Sequence, residues 1–142
     1  SCSSVQVTEE SVRESSIATV EVSTDDTYST SNLAMSVSAT VFFDFDKFNL
    51  TSRSIQALRG VVSTMSENTE LTIVIEGHAD ERGTREYNLA LGQRRAEAVA
   101  DYLESNGINR TRLSIISYGE ENPVDASSNE AAWSKNRRVE IK

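Results

Sequence analysis

Leu71-Thr72-Ile73-Val74-Ile75-Glu76-Gly77-His78-Ala79-Asp80-Glu81-Arg82-Gly83-Thr84 couples a strand to a helix, and the rest of the chain arranges itself around that junction. The first six residues are nearly continuous in apolar and β-branched character, as a buried central strand would be. Two glycines then bracket a polar loop. Residues 86–105 read as a helix, and Asn106-Gly107 closes it with the glycine suited to a left-handed cap position.

On either side of this unit the same alternation of elements continues. Thr40-Val41-Phe42-Phe43-Asp44-Phe45 is a β-branched and aromatic strand. Thr51 and Ser52 can cap a helix whose Ile55, Leu58, Val61, Val62 and Met65 share one face. Leu113 to Gly119 reads as a third strand, Glu130 to Trp133 as a short helical turn, and Arg138 to Lys142 as a last strand. The order β-α-β-α-β-(α)-β implies an α+β domain over residues 41–142, with a single mixed sheet and two long helices packed on it.

Residues 1–40 have a different texture. They carry six acids and one base, against 16 acids and 13 bases in 41–142, within an overall charge of −8. Between residues 3 and 40, Tyr28 is the only aromatic, and neither glycine nor proline occurs. So little apolar surface implies a disordered acidic tether rich in Ser and Thr. Val5-Gln6-Val7 and Val20-Glu21-Val22 alternate weakly enough to admit a strand. A negative chain without a basic stripe argues against nucleic acid as a partner. No apolar run approaches the ~20 residues of a membrane helix. The one cysteine, Cys2, supplies neither a disulfide framework nor a metal cluster.

Chemistry concentrates at the strand–helix junction. Along 86–105, Leu91, Ala98, Val99, Tyr102 and Leu103 recur at intervals of three and four, and Arg95 lies among them. Arg94 points ~100° away, toward water near Glu97. A guanidinium on the apolar side needs a partner, because an unpaired buried charge costs several kcal/mol. Asp80, at the strand exit where open sheets form ligand crevices, is the nearest candidate. Spacing alone favours a plain structural ion pair. The polar company in the same corner (Asn88, His78, Glu76 and Asn49) favours a ligand site instead. Arginine grips a carboxylate bidentately and an aspartate suits an ammonium, so together they can read an amino-acid head group. The enzyme reading would use His78 as base and Glu76 or Glu81 as acid. No nucleophile with an orienting partner accompanies them, and no phosphate loop or His/Cys metal pair exists, so neither catalysis nor a cofactor is expected.

Several segments resemble the peptidoglycan-binding domain family found at the C-terminus of outer membrane protein A. Phe43-Asp44-Phe45-Asp46-Lys47-Phe48 is similar to its first-strand motif, and Glu76 to Asn88 to its signature loop, with Arg85 where a proline is common. Leu91-Gly92-Gln93-Arg94-Arg95-Ala96, Ser117-Tyr118-Gly119-Glu120-Glu121, Pro123, and Ser134-Lys135-Asn136-Arg137-Arg138-Val139 follow in the family's order. The resemblance implies non-covalent binding of the diaminopimelate in peptidoglycan stem peptides. Asp80 would hold its ammonium and Arg95 its carboxylate. Asn88 would add a polar contact, Asn49 and Arg137 would lie at the rim, and Gly77 and His78 would belong to the binding loop. Among lipoprotein members, an acylated cysteine followed by small polar residues opens the mature chain, and Cys2-Ser3-Ser4 is similar. Ser1 departs from that pattern, because acylation requires Cys2 to be the first residue. The same likeness implies an outer-membrane protein facing the periplasm, a monomer, with a TolB-like periplasmic protein as second partner. Residues 3–40 would span roughly 30–40 Å as a coil. A porin tail or motor stator anchor carrying the same module, and a wall hydrolase using His78 and Asp80, are the alternatives.

Overall fold

The computed structural model describes residues 20–24 and 35–142. One five-stranded mixed sheet forms the frame, in the order β1-β2-β5-β3-β4. Its strands are β1 (Val20–Thr24), β2 (Met35–Phe42), β3 (Ile73–His78), β4 (Leu113–Gly119) and β5 (Arg138–Ile141). The helices are α1 (Ser52–Glu67), α2 (Arg85–Ser105) and α3 (Glu130–Asn136). Only β3 and β4 run parallel, joined through α2, whereas β1–β2, β2–β5 and β3–β5 are antiparallel. The α+β expectation, one mixed sheet with two long helices on it, matches this arrangement.

The sheet begins earlier than residue 41. Val20 to Thr24 pair antiparallel with Met35 to Ala39, so the segment read as tether contains a strand and the start of another. Serines disguised the pattern: Val37 and Ala39 are buried while Ser36 and Ser38 are exposed, a strict period of two. Val5-Gln6-Val7 and Cys2 lie outside the described residues.

A single apolar core lies between α1, α2 and one face of the sheet. Val41, Ile75, Val139 and Ile141 meet Leu58, Val61 and Met65 of α1, and Ala96, Val99 and Leu103 of α2. The opposite face carries exposed residues, among them Val74 (38 % exposed) and Ile116 (39 %). The outer face of β3 is thus open at Val74 and covered only toward His78, unlike the doubly covered strand its apolar run predicts. Thr51 caps α1 by accepting from the Ser54 N–H at 3.1 Å, and Thr84 caps α2 by accepting from the Tyr87 N–H at 3.0 Å.

Two glycines shape α2. Gly107 has φ +99° and ends α2, with Gly107 N–H donating to Glu104 O and Ile108 N–H to Leu103 O, both at 3.0 Å. That is the paired-bond helix stop which the Asn-Gly signal announces. Gly77 lets α2 lie directly on β3, since a Cβ there would sit 1.8 Å from the Gly92 carbonyl oxygen. The close approach fixes the height of Arg95 above the strand end.

Candidate functional site

Beyond the end of β3 the chain turns through Asp80 and enters α2, leaving a cavity of about 270 Å³ against the loop that follows β2. Asp80, Asn88 and Arg95, three of the residues singled out in the sequence, line it. Phe45, Asp46, Arg82, Gly83, Tyr87 and Leu91 complete the wall. The volume suits a small polar head group rather than a drug-sized ligand.

Arg95 and Asp80 share this cavity without an ion pair between them. The Arg95 side chain is fully buried. It donates from Nε to Lys47 O at 2.8 Å, from Nη1 to His78 O at 2.9 Å and from Nη2 to Asp44 O at 3.0 Å. Among the described residues, no carboxylate lies within ion-pair distance of it. These bonds engage three of the five guanidinium donors. Burial, then the charge of Arg137, pull its pKa down to about 10, with Asp80 opposing. The group therefore stays cationic at neutral pH.

Asp80 has other partners. Its Oδ1 accepts from the Arg82 N–H at 2.9 Å and from Arg82 Nε at 3.3 Å. Its Oδ2 accepts from Arg82 Nη2 at 2.9 Å and Arg137 Nη1 at 3.3 Å. Burial alone would raise the Asp80 carboxyl, but the bonds from Arg82 and Arg137 outweigh it and hold the pKa below the ordinary value. Arg137 is itself fixed, donating to Phe43 O and Glu130 Oε2 at 2.9 Å each. The plain Asp80–Arg95 ion pair that spacing alone favours is therefore absent: the carboxylate is held by two other arginines and the guanidinium by three backbone carbonyls.

The OmpA family model matches residues 42–137. The chain belongs to the OmpA family. This OmpA-family chain is 47% identical over 100 residues to the peptidoglycan-associated lipoprotein of Pasteurella multocida, covering 70% of this chain and 67% of that protein. The peptidoglycan-associated lipoprotein of Pseudomonas aeruginosa is 43% identical over 109 residues, covering 77% and 64% respectively. The chain therefore spans about two thirds of the length of these relatives. The crystal structure of the peptidoglycan-associated lipoprotein from Burkholderia pseudomallei superposes with a TM-score of 0.70 at 39% identity, covering 72% of this chain and 86% of that one. The C-terminal domain of Helicobacter pylori MotB, at 24% identity and a TM-score of 0.63, shares the fold over 71% of this chain and 79% of its own.

Within this OmpA-family domain the other expected residues take varied positions. Asn88 is buried and donates to Glu120 Oε1 at 2.5 Å and Arg82 O at 3.1 Å, which leaves its side-chain carbonyl for a guest. Arg137 touches Asp80 from behind without lining the cavity. Asn49 is exposed and stands outside the lining. His78 contributes its carbonyl, not its ring. The imidazole stacks on Tyr118 with centroids 5.4 Å apart, and its Nε2 lies 3.8 Å from Glu76 Oε1, on the sheet face away from the cavity. Glu76 in turn meets Lys142 at 3.3 Å. The crowding expected of Glu76 and His78 at the site therefore does not occur, because the period of two turns both outward. No hydrogen bond or ion pair joins His78 to Asp80; its nearest carboxylate is Glu76. Arg94 faces out beside the Phe48 ring, at 5.7 Å, while Gln93 takes the Glu97 carboxylate at 2.9 Å.

Arg82 is the residue that sequence reasoning missed. Its guanidinium lies between the rings of Phe45 and Trp133, 4.1 and 4.0 Å from their centroids. Spacing two residues beyond Asp80 is the signal, since a tight loop folds such a neighbour back onto the carboxylate. Tyr87 and Asp46, bonded to each other through the phenol, form the opposite wall.

Proposed function

We propose that this OmpA-family domain binds peptidoglycan non-covalently through the diaminopimelate of its stem peptide and tethers the outer membrane to the cell wall. One observation carries the reading: a fully buried, charged guanidinium without a carboxylate partner lines a cavity that also holds an aspartate. A ligand carboxylate would take the free Arg95 donors in a charge-assisted bond, and its ammonium would meet Asp80. Asn88 would accept from the same ammonium or a neighbouring amide. The names of the relatives, peptidoglycan-associated lipoproteins, support the wall as the target.

In this reading Cys2, once Ser1 is removed, carries acyl chains, and residues 3–19 connect it to the sheet, spanning at most about 58 Å when extended. More than one acyl chain is needed for firm anchorage, since a single chain holds only marginally. The domain faces the periplasm as a monomer and has a TolB-like protein of the Tol–Pal system as its second partner.

Incubation of the chain with purified sacculi tests the proposal. Co-sedimentation without release of soluble muropeptides is expected. A chain left in the supernatant rejects wall binding, and released muropeptides reveal a hydrolase.

A further inference from the structure

The Asp80 carboxylate is already fully engaged, and the group that engages it most, Arg82, is the more exposed of its two partners. Arg137 is locked by Phe43 O and Glu130 and is almost wholly buried. Arg82, in contrast, keeps 32% of its side chain exposed and sits on a loop at the cavity wall. Its guanidinium covers both carboxylate oxygens, through Nε to Oδ1 and Nη2 to Oδ2. Phe45 and Trp133 hold it in that posture from either side.

We propose that Arg82 is a resident competitor for the ligand's ammonium, so that binding exchanges one cation on Asp80 for another. This rests on the reading of the cavity as an amino-acid seat. A ligand cation must displace the Arg82 fork, and the apparent affinity falls by the fraction of time the seat is closed. The displaced guanidinium loses its place between the two rings as the site fills. Ligands that present only a carboxylate leave the exchange undone, so the device favours zwitterions over simple anions.

The test uses the whole 142-residue chain and meso-diaminopimelate as probe. By calorimetry, Arg82→Gln binds about five- to tenfold more tightly than the parent. Arg82→Lys, which keeps a cation without the fork, gains less. In the unaltered chain the Arg82 Nε–H resonance moves on saturation as its bond to Asp80 is given up. Equal or weaker binding by Arg82→Gln overturns the exchange, provided its thermal unfolding matches the parent's. So does an Arg82 Nε–H that stays in place at saturation, whatever the variants do. A parent that does not bind meso-diaminopimelate rejects the seat itself, a different failure from that of the exchange.

Discussion

Asp80 and Arg95 face one cavity and do not touch: the carboxylate is held by Arg82 and Arg137, the guanidinium by the carbonyls of Asp44, Lys47 and His78. Two opposite charges held apart by separate supports leave room for a third molecule. A direct pair would have closed the gap.

Arg95 therefore has a structural duty as well as a recognition role. Arg95→Ala strands three carbonyls in a buried corner and should cost about 3–5 kcal/mol of stability, measured by urea unfolding. Arg95→Lys keeps the charge but cannot reach three acceptors, so an intermediate loss is expected. Sedimentation with sacculi should be lost in both.

Asp80→Asn preserves shape and keeps one acceptor for the Arg82 N–H. A loss of roughly 1–2 kcal/mol in stability is expected, because Arg137 retains Glu130 and Phe43 O. Binding of diaminopimelate should fall at least about tenfold, equivalent to ~1.4 kcal/mol. Calorimetry on the folded variant measures it.

His78 gives a pH prediction unconnected with the ligand. Both ring nitrogens are buried and unbonded, and burial, then Arg138, with Lys142 adding and Glu140 opposing, bring its pKa from 6.5 down to about 4. Protons bind the unfolded ring first, so full stability is present above pH 6.5 and drains away as pH falls toward 4. The loss is on the order of 3 kcal/mol at most. His78→Leu should flatten this part of the curve at no cost near neutral pH, as unfolding midpoints across pH will show.

Gly77→Ala places a methyl group against the Gly92 backbone, an atom with no side-chain freedom to yield. Helix α2 must lift from β3, which should cost about 1–3 kcal/mol or more. Arg95 would move away from His78 O, so the Arg95 Nε–H resonance should shift even without ligand.

How much of this was legible depends on what each residue reports. Strand β4 was read with its observed bounds and α2 within one residue, because period and caps agree there. Strand β1 is legible only as the weak alternation at Val20-Glu21-Val22, because its order comes from pairing with Met35–Ala39 rather than from its own residues. At the site, helical periodicity placed Arg95 inside, but periodicity says nothing about which acceptors surround it. The three carbonyls belong to a loop and a strand end 17 to 51 residues away in sequence. Arg82 was overlooked for the opposite reason. A charged residue in a polar loop looks like solvent-facing filler until the loop folds it back onto Asp80.

Stem tripeptides ending in meso-diaminopimelate or in lysine differ by one carboxylate beside the terminal ammonium. Titrating each into the chain, with the Arg95 Nε–H and the Asp80 amide followed by NMR, isolates what the buried guanidinium reads. Saturable shifts at both positions with the diaminopimelate peptide, and at least about tenfold weaker binding of the lysine peptide, are predicted. Equal affinities, or an Arg95 resonance unmoved at saturation, would contradict a carboxylate seat at Arg95.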